Sequence, residues 1–257
     1  MKATRTGSGK PLLLVHGLGG SAQSWQTIAP DLAKNRALVA LTLPGHGGEP
    51  AESDSGTFGG LVRSVETFLQ QNALIGVDMA GSSMGARLVL ELARRGVAGN
   101  VVALDPGGFW QGWERTYFKV TIGASVKLLR VLKPALPGIS KSTATRALLL
   151  MQLTARASHL VPHVVADELT SFANTPTFDG LVSDLANGPP QTGPAASNTG
   201  KISIVWGRND RLCLPRQATR AMAAFPSADL IRLDNCGHFP MWDQPEKTVD
   251  IILDTVG

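Results

Sequence analysis

The stretch Gly81-Ser82-Ser83-Met84-Gly85 has the pattern G-x-S-x-G, and the elements on either side of it decide the fold. The apolar run before it, residues 73–80, is typical of a buried strand. The amphipathic run after it, residues 86–96, is typical of a helix that ends at a glycine. The sequence therefore predicts a tight strand-to-helix turn with Ser83 at its centre.

A turn this tight constrains the residues that form it. The middle residue is forced into a strained conformation, and the residues two positions before and after it, here Gly81 and Gly85, must be small. The start of the following helix directs backbone N–H groups and the positive end of its dipole toward the Ser83 oxygen. This context is typical of a nucleophilic serine, and a glycine-rich turn without chemistry is the alternative.

The composition is that of a globular α/β protein. The chain has 257 residues, 43% hydrophobic and 17% charged, which suits one large domain with an insertion. Cys213 and Cys236 make no zinc pattern and no disulfide framework, so no metal site is predicted. The formal charge of +4 is mild and no nucleic-acid motif is present, so we expect no nucleic-acid partner. The first residues lack a signal-peptide core, which predicts a cytoplasmic protein.

Apolar strands alternate with amphipathic helices along most of the chain. This alternation predicts a mainly parallel sheet covered by helices, with ligands bound at the carboxyl ends of the strands. The predicted strands are residues 12–15, 37–43, 73–80, 101–104, 201–206 and 230–233. The predicted helices are residues 24–34, 57–71, 86–96, 215–225 and 245–256.

The alternation is interrupted once. Residues 109–200 show no clear strand but helical stretches, which lead into a linker rich in proline and glycine at residues 187–194. The predicted helices of this segment are residues 114–132, 141–158, 162–173 and 176–186. We therefore expect a core of residues 1–108 and 201–257, with residues 109–200 inserted as a helical cap over the carboxyl edge of the sheet.

A glycine-rich segment after the first predicted strand holds candidate hydrogen-bond donors. Its glycines let the backbone around His16 and Leu18 turn N–H groups toward a ligand. The N–H of Leu18, together with that of Met84, would then form a two-donor oxyanion hole. The alternative is an ordinary glycine-rich turn. We expect His16 to brace this loop rather than to transfer protons.

Two later segments supply a candidate acid and a candidate base. Asp210 directly follows a predicted strand, where its carboxylate can orient a histidine and stabilise the imidazolium. Asp105 competes for this role but precedes Pro-Gly-Gly and is more simply a turn residue. His238 lies in the loop after the last strand. Alone it would be read as structural, but Ser83, Asp210 and His238 follow the order serine, acid, histidine of one class of triad.

At these residues the chain resembles the α/β-hydrolase superfamily, over residues 11–105 and 201–257. The matching segments are His16-Gly17, Leu43-Pro44-Gly45-His46-Gly47, Gly81-Ser82-Ser83-Met84-Gly85, Gly207-Arg208-Asn209-Asp210, Gly237-His238 and Gln244-Pro245-Glu246. The resemblance implies the α/β-hydrolase fold with a cap between its sixth and seventh strands. Too few residues precede His16 for the usual opening pair of strands, so we expect a truncated pair and a sheet of six or seven strands.

The resemblance also implies a role for each candidate residue. Ser83 would be the nucleophile, His238 the base and Asp210 the acid, with the oxyanion hole formed by the N–H groups of Leu18 and Met84. A serine nucleophile argues against haloalkane dehalogenases and epoxide hydrolases, which use aspartate at that position. No metal or organic cofactor is expected.

These residues predict a serine hydrolase that cleaves an apolar acyl or aryl ester of moderate size through an acyl-enzyme on Ser83. Three alternatives share the fold: a carbon–carbon bond hydrolase of the meta-cleavage type, a cofactor-free perhydrolase of the haloperoxidase type, and a slow-turnover ligand receptor. Residues 83–85 and 236–238 resemble the meta-cleavage hydrolases, but those relatives usually have asparagine at the position of Ser82.

Four aromatic side chains are candidates for the wall of a substrate pocket. They are Trp25, Trp110, Trp113 and Phe239. The alternative for the aromatic residues at the start of the cap is that they form the cap's own small core.

The predicted cap is strongly basic. Residues 110–160 contain eight Lys and Arg against Glu114 alone, a net charge of +7. Lys119, Lys127 and Arg130 fall within about 80° of one another on one helix face. One interpretation is attraction of an anionic acyl substrate, or a weak contact with an anionic lipid or membrane surface. The other is a solvated basic face without a partner.

Overall fold

A computed structural model describes residues 1–193 and 200–257, and its centre is one sheet of seven strands. The strands are β1 (Lys2–Thr6), β2 (Pro11–Val15), β3 (Ala37–Thr42), β4 (Asp78–Ser82), β5 (Val101–Leu104), β6 (Ile202–Gly207) and β7 (Asp229–Leu233). Their order across the sheet is β1-β3-β2-β4-β5-β6-β7. Every neighbouring pair is parallel except β1 and β3, which are antiparallel. The predicted sheet of six or seven mainly parallel strands is confirmed.

The edge strand β1 is not predicted from the sequence. It reads Lys-Ala-Thr-Arg-Thr, and four of its five side chains are exposed. A strand with polar residues on both faces lacks the hydrophobic alternation by which strands are recognised. It is a single antiparallel strand where the resemblance implies a pair, in agreement with the expected truncation.

Helices flank the sheet. They are α1 (Ala29–Leu32), α2 (Phe58–Gln71), α3 (Met84–Arg94), α4 (Trp113–Leu132), α5 (Leu136–Ile139), α6 (Thr143–Leu149), α7 (Pro162–Asn174), α8 (Phe178–Asn187), α9 (Gln217–Ala224), α10 (Pro240–Asp243) and α11 (Pro245–Val256). Short 3₁₀ turns lie at Ala22–Trp25, Lys133–Ala135 and Ala157–His159. No helix within residues 1–193 or 200–257 combines the length and apolar character needed to cross a membrane. The cytoplasmic location stays a prediction.

The strand that leads into Ser83 is shorter than predicted. Residues 73–80 are expected to be extended, but β4 begins only at Asp78. The residues before it turn the chain, because Ala73 and Gly76 have φ angles of 54° and 80°. The apolar side chain of Ile75 is 50% exposed in this turn, so its hydrophobicity misleads the strand prediction.

Two predicted helices are wrong in their length. Residues 24–34 form a 3₁₀ turn followed by the four-residue α1, because Pro30 lacks the N–H that a continuous helix requires. Of residues 141–158, only α6 is α-helical. The chain leaves that helix before Ala155, whose N–H is bonded to the carboxylate of Asp243 (2.9 Å) instead of to a helical carbonyl.

Helices α4 to α8 lie between β5 and β6, and we call residues 113–187 the helical insertion. Its contacts with the carboxyl edge of the sheet include two hydrogen bonds to the loops that follow β2 and β7. The hydroxyl of Ser171 donates to the carbonyl of Gly19 (2.7 Å), and the carbonyl of Leu153 accepts the N–H of His238 (2.9 Å). The insertion therefore covers the loops that follow β2 and β7.

The predicted division into a core and a cap has not been tested. Its boundaries, residues 1–108 and 201–257 for the core and 109–200 for the cap, stay a prediction. Residues 194–199, which include the end of the predicted linker, lie outside the described residues.

A buried ion pair joins the amino ends of the central strands. Arg36 donates to the carboxylate of Asp78 (2.6 Å), and both side chains are 3% exposed. Arg36 also donates to the carbonyls of Pro11 and Val256 (3.1 and 2.9 Å). Burial raises the pKa of Asp78, but its bonds to Lys10 and Arg36 outweigh burial and hold that pKa below its usual value.

We predict that Arg36→Met destabilises the fold by up to about 3–5 kcal/mol, because it removes the buried partner of Asp78 and leaves only the more exposed Lys10 to neutralise this charge. Arg63→Met is the matched control, since Arg63 pairs with Asp54 at the exposed surface and its loss should change stability by less than about 1 kcal/mol. Urea unfolding of the two variants measures the difference. Equal stabilities would contradict the role given to Arg36.

Candidate active site

Ser83 lies at the turn between β4 and α3, with φ 57° and ψ −115°. This is a strained conformation for a residue that has a side chain. A Cβ at Gly81 would lie 2.3 Å from the carbonyl oxygen of Gly85, and a Cβ at Gly85 would lie 2.2 Å from that of Val15. Neither position has room for a side chain, so the chain has the tight strand-to-helix turn that its glycines indicate.

The structure brings Ser83, Asp210 and His238 together. His238 Nε2 is 2.8 Å from Ser83 Oγ, and His238 Nδ1 is 2.8 Å from Asp210 Oδ2. The three residues follow β4, β6 and β7 at the carboxyl edge of the sheet. The other oxygen of Asp210 accepts the N–H groups of Leu212 and Cys213 (2.7 and 3.0 Å), which fixes the carboxylate.

These contacts assign the tautomer of His238. An ionised carboxylate only accepts hydrogen bonds, so Nδ1 carries the proton and donates it to Asp210. The lone pair of Nε2 then faces the hydroxyl of Ser83. In this arrangement the imidazole can take the serine proton.

A second carboxylate holds the loop that carries His238. One oxygen of Asp243, which is buried, accepts the N–H of Gly237 (2.6 Å) and of Ala155 (2.9 Å). Ala155 and Leu153, whose carbonyl accepts the N–H of His238, belong to the helical insertion. The sequence analysis missed Asp243, because its partner in the insertion is 88 positions away along the chain.

Asp105, the competing acid, has a different environment. Its Oδ1 accepts the N–H of Gly207 (2.9 Å), while its Oδ2 is buried without a hydrogen-bond partner among the described residues. Burial, and then the neighbouring charge of Asp210, raise the pKa of Asp105 well above its usual range. The raised pKa favours the neutral form of Asp105, and Asp210 is the acid that contacts His238.

His16 holds the loop after β2. Its Nε2 accepts the N–H of Leu43 (3.1 Å), so Nδ1 carries the proton and donates to the carbonyl of Gly17 (2.7 Å). Burial and the neighbouring His46 lower the pKa of His16 to about 3, so the ring is neutral near pH 7. These contacts agree with a bracing role.

The backbone of Leu18 and Met84 lies beside the serine. Both residues line the same cavity as Ser83, and neither N–H donates to another group within the described part of the chain. A Cβ at Gly17 would lie 3.8 Å from Ser83 Oγ, which shows how closely this loop approaches the serine. The predicted oxyanion hole stays a prediction.

Ser83 faces a cavity between the sheet and the helical insertion. Most of the side chains that line it are apolar, and they include Trp110 and Phe239, two of the four predicted pocket residues. The other two are corrections. Trp25 is fully buried and packs into the core beneath the loops. Trp113 is 59% exposed, because the first turn of α4 directs it to solvent while Phe118, five residues later, lines the cavity.

Two ionisable side chains in the cavity wall were not predicted. Glu168 of α7 is bonded to the hydroxyl of Ser24 through both oxygens (2.8 and 2.9 Å), and burial raises its pKa to about 7. Arg87 of α3 donates to the carbonyl of Pro189 (2.7 Å) and stacks on the ring of Phe58. Burial lowers the pKa of Arg87 to about 10, so it keeps its charge. Their positions in the sequence carry no signal, since both lie within ordinary amphipathic helices.

One group of side chains has the spacing of a metal site. Asp210, Cys213 and His238 each offer one ligand atom, and these atoms lie within 4.8 Å of one another. Burial, followed by the charge of Asp210, raises the pKa of the Cys213 thiol well above its usual value, which disfavours the thiolate that a metal needs. Asp210 and His238 are also bonded to each other, so the geometry favours a hydrogen-bonded pair.

The order of the strands, the tight turn at Ser83 between two glycines and the contacts among serine, histidine and acid define a class of protein. Residues 12–251 match a model described as the alpha/beta hydrolase family. The chain belongs to this family.

The individual relatives are distant. The chain is 26% identical to 2-hydroxy-6-oxononadienedioate/2-hydroxy-6-oxononatrienedioate hydrolase 2 of Pseudomonas putida, over 95% of this chain and 86% of the relative. It is 23% identical to an uncharacterized protein of Mycobacterium tuberculosis, over 96% of this chain and 75% of the relative.

Two solved structures illustrate the shared fold. A thermophilic esterase from Thermogutta terrifontis has a TM-score of 0.75 at 17% identity, covering 98% of this chain and 91% of the esterase. A meta-cleavage product hydrolase from Pseudomonas fluorescens IP01 has a TM-score of 0.73 at 16% identity, covering 99% of this chain and 93% of the hydrolase. At these identities the likeness supports the fold alone.

We predict that Gly85→Ala destabilises the protein by at least about 2 kcal/mol, because the added methyl group meets the backbone of β2 and cannot be accommodated by rotating a side chain. Gly123→Ala is the matched control, as a Cβ there meets no atom within 4 Å and alanine should stabilise α4 by up to about 1 kcal/mol. Thermal unfolding compares the two. Two variants of equal stability would show that the turn between β4 and α3 tolerates a side chain at position 85.

We predict that the stability of Glu168→Gln, relative to the wild type, rises between pH 4 and pH 8. The native pKa of Glu168 is raised from 4.5 to about 7, so folding stability is lost as pH rises through this interval, by up to about 3 kcal/mol. Glutamine does not ionise and escapes this loss. Urea unfolding at a series of pH values measures the difference in stability between the variant and the wild type. Asp250→Asn, at an exposed carboxylate, is the control. A difference that does not vary with pH would contradict the raised pKa.

Proposed function

We propose that the protein is a serine hydrolase that cleaves a carboxylic ester through an acyl-enzyme on Ser83. The observation that carries the proposal is the continuous chain of hydrogen bonds from Ser83 Oγ through His238 to Asp210, 2.8 Å at each step, beside a mainly apolar cavity. A hydroxyl bonded to a neutral imidazole, whose other nitrogen is held by a carboxylate, has the arrangement of an activated nucleophile.

The reaction proceeds in two halves. Ser83 Oγ attacks the carbonyl carbon of the ester while its proton passes to Nε2 of His238, and the charge of Asp210 stabilises the imidazolium. The carbon–oxygen bond to the alcohol then breaks, and the alcohol leaves with the proton from His238. A water molecule repeats the sequence: it gives its proton to His238 and attacks the acyl carbon. Ser83 leaves with the returned proton.

The N–H groups of Leu18 and Met84 receive the negative oxygen of the intermediate in this proposal. The close approach of the loop after β2 to Ser83, and the lack of an internal acceptor for either N–H within residues 1–193 and 200–257, support the assignment. Met84 is also the first residue of α3, where the helix dipole favours negative charge. Each donor of this kind contributes about 3 kcal/mol to the barrier.

The cavity indicates the class of substrate. The rings of Phe118, Phe172 and Phe178 line the same cavity as Ser83, which suits an acyl or aryl group of moderate size. Helices α4 and α7 supply two of these rings, so we propose that the helical insertion acts as a cap that shapes the site. Below about pH 7 the neutral form of Glu168 adds no negative charge to the cavity lining.

A carbon–carbon bond hydrolase of the meta-cleavage type is the second candidate, because the cavity wall contains the charged Arg87. This cation could bind the carboxylate of an anionic dienoate. The Pseudomonas putida relative is named as a hydrolase of such compounds.

The test combines active-site labelling with turnover. We expect a fluorophosphonate to label Ser83, as mapped by mass spectrometry, and p-nitrophenyl esters from acetate to decanoate to be hydrolysed with a preferred chain length. His238→Ala and Asp210→Asn should lower kcat by roughly 10³-fold or more. His159→Ala, at an exposed histidine of the helical insertion, should leave kcat unchanged.

Other outcomes assign the protein elsewhere. Labelling without ester turnover, combined with cleavage of a 2-hydroxy-6-oxodienoate, would favour the second candidate. Peroxide-dependent oxidation of a halide would indicate the perhydrolase. Labelling with one slow turnover and a retained product would indicate a receptor. If Ser83 is not labelled, the proposed nucleophile is wrong.

A further inference from the structure

Large apolar side chains are exposed mainly on the helical insertion. Of the eight large hydrophobic residues found exposed in the described part of the chain, seven belong to it. They are Trp113, Val120, Leu128, Val131, Leu148, Met151 and Val161, and the eighth is Ile75. Single exposed hydrophobic residues are ordinary, but a concentration of them on one segment marks an interaction surface.

Four of these side chains form one strip on α4. Trp113, Val120, Leu128 and Val131 lie within about 80° of one another around the helix axis, and we call them the apolar strip. The opposite face of α4 is buried against the rest of the protein. The buried face consists of Phe118, Ile122, Val126 and Leu129, with Glu114 at its start.

A third strip on α4 is basic. Lys119, Lys127 and Arg130 lie between the buried face and the apolar strip, and we call them the basic strip. Lys119 and Lys127 are exposed, and neither makes an ion pair with another described residue. Arg130 pairs with Asp179 at the surface (2.8 Å). A helix with an outward apolar strip beside a row of cations has the pattern of a helix that lies in a membrane interface.

An apolar groove runs beside the apolar strip. Leu128, Leu148 and Met151, all exposed, form part of its rim. Ile122 and Phe172 line both this groove and the catalytic cavity. The groove and the cavity therefore share a wall.

We propose that the apolar strip and the basic strip of α4 dock the protein on the surface of an anionic phospholipid bilayer. The apolar side chains enter the boundary between headgroups and acyl chains, and the lysines pair with lipid phosphates. The groove then faces the lipid. Its use as an access path for an acyl chain rests on the proposed ester hydrolysis, whereas docking itself does not.

The positive charge of this region favours an anionic bilayer over a second copy of the chain as the partner of α4. Residues 110–160 carry a net charge of +7, so a symmetric contact through α4 would bring two basic surfaces together. An anionic surface attracts the same charges. A merely solvated basic face needs no exposed leucine, valine and tryptophan beside it. The two strips together therefore favour the lipid surface.

The test uses Ser83→Ala, so that no lipid is consumed, and sedimentation with vesicles. We expect binding to vesicles that contain phosphatidylglycerol, much weaker binding to pure phosphatidylcholine, and weaker binding at about 0.5 M than at about 0.1 M salt. The double change Leu128→Ser and Val131→Ser should weaken binding by about tenfold or more. Lys119→Gln with Lys127→Gln should weaken it and reduce the salt dependence.

The matched control is Ile75→Ser. Ile75 is also an exposed large hydrophobic residue, but it precedes β4 and so lies at the opposite end of the sheet from the catalytic loops. This change should leave vesicle binding unaltered. Equal weakening by Ile75→Ser, or no binding to the anionic vesicles, would overturn the proposal. Light scattering tests whether the apolar strip binds a second copy of the chain instead. A dimer that the Leu128→Ser and Val131→Ser changes convert to monomers, with no binding to vesicles, would identify the apolar strip as a self-association surface.

These outcomes are independent of catalysis. Vesicle binding by Ser83→Ala with no ester turnover by the wild type would leave docking intact and contradict the proposed function. Ester turnover without vesicle binding would leave the proposed function intact and contradict the docking. If both hold, turnover of a long-chain ester should rise on anionic vesicles in the wild type and less so in the Leu128→Ser and Val131→Ser variant.

Discussion

The contact between the start of α3 and the end of β2 is the constraint on which the site depends. The carbonyl oxygen of Val15 occupies the space that a side chain at position 85 would need. Helix α3 can therefore begin directly after Ser83, and the serine is held with φ 57° because the strand before it and the helix after it are both fixed. The same close approach brings the loop after β2 against the serine, so one packing requirement positions both the hydroxyl and the neighbouring N–H groups.

The histidine is positioned from a different direction. Its side chain is held by Asp210 of the core, but its backbone N–H is bonded to Leu153 of the helical insertion. Asp243 joins the same two parts through Gly237 and Ala155. The insertion is thus part of the framework of the site as well as its cover. The raised pKa of Asp105 disfavours a second negative charge beside Asp210, the carboxylate that is bonded to His238.

The sequence predicts those parts of the site that local rules determine. Two glycines at fixed spacing indicate the tight turn at Ser83, and residues in the loops that follow parallel strands, such as Asp210 and His238, gather at one edge of the sheet. The predictions that are wrong or missing concern residues whose position depends on packing between distant parts of the chain. Trp25 and Trp113 are aromatic residues whose direction depends on packing, and one lies in the core while the other faces solvent. Glu168 reaches the cavity only because α7 folds over the loop after β2, a contact between residues 144 positions apart.

Helix α4 shows within a single element that the sequence pattern does not tell which apolar face is buried. Its lysines and Arg130 can be placed on one strip from the sequence, because charged side chains stay at the surface in almost any packing. Val126 and Val131 are the same residue type on the same helix, yet the first is 1% exposed and the second 77%. Only the packing of α4 on α7 and α8 separates them, since it selects which of two apolar faces is buried. One apolar face then lines the cavity at Ser83, and the other is left outside beside the cations. The helix that covers this cavity therefore also carries the surface that we propose as a lipid contact.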